Sequence, residues 1–448
     1  MSNLNNDQIL YRSLKAGAQE AEIYATKNKQ VTIKVSNSNV ETLNVSSGGG
    51  IGLRVLVNQR PGYAYTSDLR EDSVMELIHS AIDNALYSSS DEKWTLPTQD
   101  NGTSLKNLCP EEFSAWTTED KVNLSLKLEE ITCKQNRFVK RCREVIYADN
   151  HIHVQIKNTN GLSRSDNRSV SYALATAVAD NGEDIQPSNF FTAGRSPTDL
   201  DIELCASEAA RRASNQLNPK KLKSKKLPVI FESYSAAIIL GNMSSMLCAN
   251  QVQNNRSIFT GKIGHMVAGN NITIVDDGRL SEGLATRSWD GEGIATGKQV
   301  LIDNGKLMGI LHNNYTANKA GVKSTGNADR ASYRSFPTVK PSNFYLLPGI
   351  TPQEEIISEA NEAIFITGIH GIRAGNSVTG EFSIGISGHY IKNGELIYPI
   401  TDVTIAGRFT DLLNNIEKVG DDLRFLLFGG GMCGSPTILV SDLQVSGT

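Results

Sequence analysis

Two short stretches, Asp303-Asn304-Gly305 and Lys392-Asn393-Gly394, constrain most strongly what this 448-residue chain can fold into. Asn-Gly pairs tolerate the positive backbone φ that a tight hairpin turn demands. The runs beside them alternate apolar and polar residues, as half-buried antiparallel strands do. Gln299 to Asp303 and Lys306 to His312 flank the first turn, and Ser383 to Lys392 leads into the second. Asn271 to Val275, Ile364 to Gly368 and Thr437 to Val440 repeat the pattern. Residues 229–448 therefore predict a large, mostly antiparallel β domain, a barrel or a sandwich. One helix precedes its strands, Tyr234 to Ala249, with Ile238, Ile239, Met243, Met246 and Leu247 on its apolar side.

The rest of the chain divides into two smaller α+β domains, 1–105 and 106–218, and a lysine-rich linker, 219–228. In the first, Val31, Ile33 and Val35, then Ile51, Leu53 and Val55, read as strands after an amphipathic helical start. Ser73-x-x-Glu76 predicts a capping box opening a helix with Val74, Leu77, Ile78, Ala81, Ile82 and Ala85 on one face. In the second, Thr117-x-x-Asp120 caps a helix carrying Leu124, Leu128 and Ile131; strands at 145–156 and 170–178 and a helix at 198–217 follow. The linker, PKKLKSKKLP, places five lysines between two prolines without aromatics or arginine, the composition of a solvated connector.

Net charge is −4, with 44 basic and 48 acidic residues, so no global field draws the chain to nucleic acid. The start lacks a secretory signal pattern. The longest uncharged run, Ser233 to Asn255, is too polar to span a membrane. Six cysteines, none in a Cys-x-x-Cys pair, argue against a disulfide framework or a four-cysteine zinc site. A cytoplasmic location is expected.

Short catalytic motifs are sparse. GGGIGLRV (Gly48 to Val55) is followed by a strand pattern rather than a helix, so it reads as a flexible turn and not a phosphate loop. His79 reads as a surface residue beside a helical face. His151 and His153 share one strand face, yet no third ligand lies near them in sequence. Trp289-Asp290-Gly291-Glu292-Gly293 presents either two carboxylates or ordinary turn chemistry. The loop from Gly368 to Ser383 gathers His370, Arg373, Asn376, Thr379, Glu381 and Ser383; it reads either as a surface loop or as a cleft that binds peptide through His370, Arg373, Glu381 and Ser383. FGGGMCGSPT (Phe428 to Thr437) precedes a strand pattern, so its glycines predict a hairpin.

Longer motifs carry a resemblance. GLATRSWDGEGIAT (Gly283 to Thr296), AGVKSTGNA (Ala320 to Ala328), VTGEFSIGISGHYIKNGELIYPITDVTIAG (Val378 to Gly407), VGDDL (Val419 to Leu423) and MCGS (Met432 to Ser435) resemble the TldD/PmbA family. AEIYATKNKQVTIKVSNSNVETLN and GIGLRVLVNQRPGYAYTSDL resemble its opening domain. The family, once described as modulators of DNA gyrase, is understood as components of a metalloprotease. Its TldD-like members carry a His-Glu-x-x-x-His helix and a cysteine near the C-terminus; two imidazoles and a thiolate leave zinc an open position for water, with the glutamate as general base.

Aligned from the IFTGKIG segment, the resemblance places the His-Glu pair at Leu240-Gly241 and the second histidine at Ser245. Leucine and glycine offer no donor, and a neutral serine hydroxyl binds zinc poorly. Only Cys433 retains a ligand position, and one thiolate cannot hold catalytic zinc. The resemblance thus implies a PmbA/TldE-like chain, without catalytic residues or bound cofactor of its own. It implies a TldD-like partner supplying zinc, alone or beside self-association, and unfolded peptides or small proteins as substrates. Two other readings stay open: an active homo-oligomeric hydrolase built on Cys433 with His312, His370 or His389, and a DNA-associated regulator, which the acidic balance opposes.

Overall fold

The computed structural model describes residues 5–370 and 376–447. Strands β1 (Glu20–Ser36), β2 (Asn39–Val57), β3 (Arg60–Thr66), β4 (Val139–Asn158), β5 (Ser163–Asp180) and β6 (Ile185–Gly194) form one six-stranded sheet in the order β3-β2-β1-β4-β5-β6. The two N-terminal regions are therefore joined through β1 and β4, which pair antiparallel from Glu22↔Asn158 to Val35↔Val145. Helices α1 (Asn6–Lys15) and α2 (Glu71–Leu86) cover the β1–β3 part. A short α3 (Glu111–Ala115), then α4 (Thr118–Cys133) and α5 (Ile202–Asn215), accompany the β4–β6 part. Alternation sets the faces: Val31, Ile33 and Val35 are buried against Leu124 and Leu128 of α4.

Thr117 and Asp120 make the expected reciprocal cap of α4. The start of α2 differs: its N-cap is Arg70, with no side-chain cap bond, and Ser73 Oγ donates instead to Asp68 Oδ2 at 2.8 Å. Of the expected apolar face, Val74, Leu77, Ile78, Ala81 and Ala85 are buried and Ile82 is partly buried. Gly48–Gly50 also depart from the expected turn, for they lie inside β2. A Cβ on Gly50 would stand 2.4 Å from the Tyr333 ring, and one on Gly52 would stand 2.3 Å from the Tyr333 carbonyl oxygen. Glycine is needed there because a C-terminal loop lies directly on the sheet.

The C-terminal region is built from β7 (Lys225–Phe231), α6 (Ser233–Ser244), β8 (Ile274–Asp277), β9 (Lys298–Asp303), β10 (Lys306–Leu307), β11 (Ala328–Asp329), β12 (Thr338–Val339), β13 (Asn343–Leu346), β14 (Glu362–His370), β15 (Glu381–Lys392), β16 (Glu395–Arg408), β17 (Ile416–Val419), β18 (Arg424–Phe428), β19 (Gly431–Ser435) and β20 (Ile438–Ser446). Strands β16-β15-β14-β7-β20 pair in that order, and β16 pairs again with β20, closing a five-stranded barrel that carries β17 at its side. A second sheet runs β10-β9-β8-β13-β19-β18. The fold is α+β, with the mostly antiparallel, barrel-containing C-terminal region that the hairpin turns predicted. Asn304-Gly305 and Asn393-Gly394 both adopt positive φ. The second half of the lysine run is strand β7, where Leu227 and Val229 enter the core. No described helix is long and apolar enough to cross a membrane.

Candidate functional site

Helix α6 packs on the β18–β19 hairpin, bringing together the segments that hold Leu240, Gly241, Ser245 and Cys433. Leu240 is buried in the main core. Gly241 faces the ring of Phe428: a Cβ there would stand 2.8 Å from the ring's Cδ1. Ser245 is exposed at the end of α6. Cys433 lies on β19, next to the edge of its sheet, between Phe344 of β13 and Leu426 of β18. It is 2% exposed, and burial pushes its thiol well above the ordinary range, so it stays protonated at neutral pH. A hydrocarbon, a glycine under an aromatic ring, a solvated hydroxyl and a protonated thiol do not fit a zinc ion, which needs three or four nitrogen, oxygen or thiolate donors. The FGGG stretch forms the expected hairpin, turning at Gly429 and Gly430 with positive φ.

The three histidines named with Cys433 make separate contacts. His389 Nε2 is 2.9 Å from the Asn215 carbonyl oxygen, and His370 Nε2 is 2.8 Å from Ser387 Oγ. His312 is buried; its Nδ1 has no hydrogen-bond partner among the described residues, and its backbone N–H donates to Thr325 Oγ1 at 2.8 Å. Among the described residues no group of three or more His, Cys, Asp or Glu side chains is placed to hold a metal. His151 meets Asn167 Oδ1 at 2.6 Å, on the sheet and away from any such group.

Of the peptide-binding quartet, the described members His370, Glu381 and Ser383 stand apart along β14 and β15. His370 pairs in register with Gly385, whereas Glu381 and Ser383 lie farther along β15, opposite Arg408 and Ala406. Glu381 is exposed and pairs with Arg408 at 3.3 Å. Arg373 lies outside the described residues. His370 instead joins Phe190, Arg212, Tyr234 and Ser387 around a cavity of about 380 Å³.

Asp290 and Glu292 are both buried, and their work is structural. Asp290 accepts the backbone N–H groups of Glu292, Ile294 and Ala328 at 2.8, 3.0 and 2.9 Å. Burial, then the neighbouring Glu292, push its carboxyl up to about 7. Glu292 Oε1 accepts from Arg54 Nη1 at 2.6 Å, and Arg54 Nη2 donates to Glu22 Oε2 at 2.9 Å. Glu22 also binds Arg330, whose Nε donates to the Gly291 carbonyl at 2.8 Å. Two carboxylates and two guanidiniums, all nearly solvent-free, thus bind β1 and β2 to the C-terminal region. No local motif marks these pairings, because Arg54 and Glu292 are 238 residues apart and Glu22 and Arg330 are 308 apart.

Two sheet edges face each other next to the hairpin. Strand β6 ends the first sheet and β18 ends the second, and neither has a further strand partner among the described residues. A cavity of about 580 Å³ lies between them, lined by Phe190, Phe191 and Thr192 on one side and by Phe425, Leu426 and Leu427 on the other. Unpaired edges with apolar flanks can accept an extended chain through main-chain hydrogen bonds.

Comparison with known proteins finds similarity along nearly the whole chain. The model of the PmbA/TldA metallopeptidase C-terminal domain matches residues 224–447, that of domain 1 matches 21–85, and that of the central domain matches 111–217. A metalloprotease PmbA from Escherichia coli O157:H7 is 25% identical over 434 residues, covering 95% of this chain and 92% of its own. A metalloprotease TldD homolog from Buchnera aphidicola is 27% identical over 475 residues, covering 100% of this chain and 97% of its own. A candidate modulator of a DNA gyrase from Thermotoga maritima, 26% identical, superposes with a TM-score of 0.89 over 98% of this chain and 99% of its own. TldE from Thermococcus kodakarensis shares the fold, with 22% identity and a TM-score of 0.90 over 98% and 99%.

Proposed function

The chain belongs to the PmbA/TldD metallopeptidase family, and from that premise we propose that it is a PmbA/TldE-like subunit without a catalytic zinc of its own. The observation that carries this reading is the ring of Phe428 lying against Gly241, at the position where a zinc-binding member would carry its glutamate. A carboxylate could not occupy that space without displacing the ring. Leu240 and Ser245 supply no imidazole beside it, and the buried, protonated Cys433 is left without partners for a metal.

The chain's contribution is then to complete a peptide-binding chamber with a TldD-like subunit. That partner supplies His-Glu-x-x-x-His and the zinc that activates water for hydrolysis. The facing edges β6 and β18 support a role in holding extended substrate, because main-chain pairing recognises backbone regardless of sequence. Unfolded peptides and small unfolded proteins suit such a groove; folded domains, with their edges already paired, do not.

The test is reconstitution. The purified chain should carry substoichiometric zinc by elemental analysis and leave an unfolded peptide intact, and a TldD-like partner should confer cleavage on the mixture. Stoichiometric zinc together with peptidase activity in the isolated chain would overturn the proposal.

A further inference from the structure

A cavity of about 410 Å³ opens between the first sheet and the glycine turn Gly429–Gly431. Arg168 of β5, Arg287, Asp329 and Arg330 line it, with Tyr24 at its base. Its size is that of a small-ligand pocket, and its charge is unbalanced.

The imbalance can be counted. The buried network of Glu22, Glu292, Arg54 and Arg330 sums to zero. Arg287 and Lys340 share one carboxylate, Asp329, at 3.0 and 3.3 Å. Arg168 has only Asp166, 3.7 Å from its Nε, too far for a hydrogen bond. Asp166 spends its oxygens on Ser288, accepting the N–H at 3.1 Å and the hydroxyl at 3.3 Å. Three cations therefore meet two carboxylates around the cavity.

The hydrogen-bond donors are also unsatisfied. Arg168 Nε, Arg287 Nε and Arg330 Nη1 are buried and have no partner among the described residues. Arg330 and Arg287 are more than nine-tenths buried, while the Arg168 side chain is 22% exposed. Buried guanidinium donors without acceptors are costly and mark an arginine cluster short of anionic partners; an oxyanion, carboxylate or phosphate, is the group that pairs with a guanidinium. Burial, followed by repulsion from Arg287, lowers the proton affinity of Arg168. An anion beside the exposed part of Arg168 would offset that repulsion.

We propose that this cavity is a binding site for an oxyacid anion, a carboxylate or a phosphate group, held by Arg168 with help from Arg287. Two sources have this chemistry. One is a free phosphate or phosphorylated small molecule. The other is the carboxylate end of an extended peptide, since the edge groove beside β18 shares Leu284 and Leu427 with the arginine cavity. The inference rests on this chain's own residues and stands whether or not a catalytic partner exists.

The experiment is calorimetric titration of the full chain at low salt with three probes: inorganic phosphate, an N-acetylated octapeptide with a free C-terminal carboxylate, and the same peptide as its amide. Saturable binding of phosphate or of the acid peptide is expected, weakened at least tenfold by Arg168→Met and only partly by Arg168→Lys. An acid peptide that binds at least tenfold tighter than its amide assigns the site to peptide ends. Phosphate binding with no difference between the two peptides assigns it to a free oxyanion. A second measurement needs no variant: phosphate or acid peptide should protect Arg168 of the native chain from phenylglyoxal, as read by peptide mass spectrometry. No saturable binding of phosphate or acid peptide, unchanged affinity in a folded Arg168→Met, or absence of protection would each overturn the proposal.

Discussion

The Phe428 ring lies so close to Gly241 that a single added carbon on the glycine would stand 2.8 Å from it. This contact joins the middle of α6 to the tip of the β18–β19 hairpin, and it makes position 241 a packing position. Gly241→Glu should therefore destabilise the chain by about 1–3 kcal/mol, as overpacking a core does. Phe428→Ala introduced with it should recover part of the loss, because the two changes act on one space. Chemical denaturation of the two single variants and the double variant measures the coupling; strictly additive effects would contradict the contact.

The buried network predicts a larger effect. Arg54 and Glu22 are 1% and 0% exposed, and each is the other's partner. Removing one member leaves an uncompensated charge in a solvent-free site, which costs about 3–5 kcal/mol. Arg54→Met and Glu22→Gln should both lower the denaturation midpoint strongly. Because the network bridges the first sheet and the C-terminal region, partial proteolysis should begin between those regions in the variants and not in the parent.

Cysteine labelling offers an independent check of the core around position 433. Cys109 and Cys133 are partly exposed, whereas Cys142, Cys205, Cys248 and Cys433 are buried. Burial raises the Cys433 thiol, and the reactive species is the thiolate. A thiol reagent should modify Cys109 in the native chain and reach Cys433 only after denaturation, as followed by mass spectrometry. Rapid native labelling of Cys433 would mean that the hairpin does not pack as described.

One pH effect follows from His312. Burial holds its pKa below the ordinary 6.5. Between that lowered value and 6.5 the unfolded chain binds more protons than the folded one, so this group's contribution to stability falls as pH drops through about 6.5. An asparagine cannot titrate. The stability of His312→Asn relative to the parent should therefore improve on going from about pH 7.5 to about pH 5.5. Thermal unfolding at the two pH values measures this, and a constant difference would show that His312 titrates normally when folded.

Much of the architecture was legible in local sequence. Asn304-Gly305 and Asn393-Gly394 specified their turns because only a few residue types accept positive φ, and Thr117 with Asp120 specified a helix start through their own side chains. Longer motifs indicated the family, which the matches along the chain show. At Ser73 and Gly48–Gly50 the local signal misled, because Asp68 captured the serine, while the glycines pair within the sheet and Gly50 takes the ring of a distant tyrosine.

By itself, then, the sequence determined the asparagine-glycine turns and the apolar faces, since each depends on residues that are near neighbours or on one side chain's chemistry. Only the tertiary structure decided that the two N-terminal regions share a sheet and that β16 closes a barrel onto β20. It also decided that Phe428 occupies the space over Gly241 and that Arg168, Arg287 and Arg330 line one cavity. Those relationships join residues tens to hundreds of positions apart. They arise from the joint burial of whole elements, which no local preference encodes.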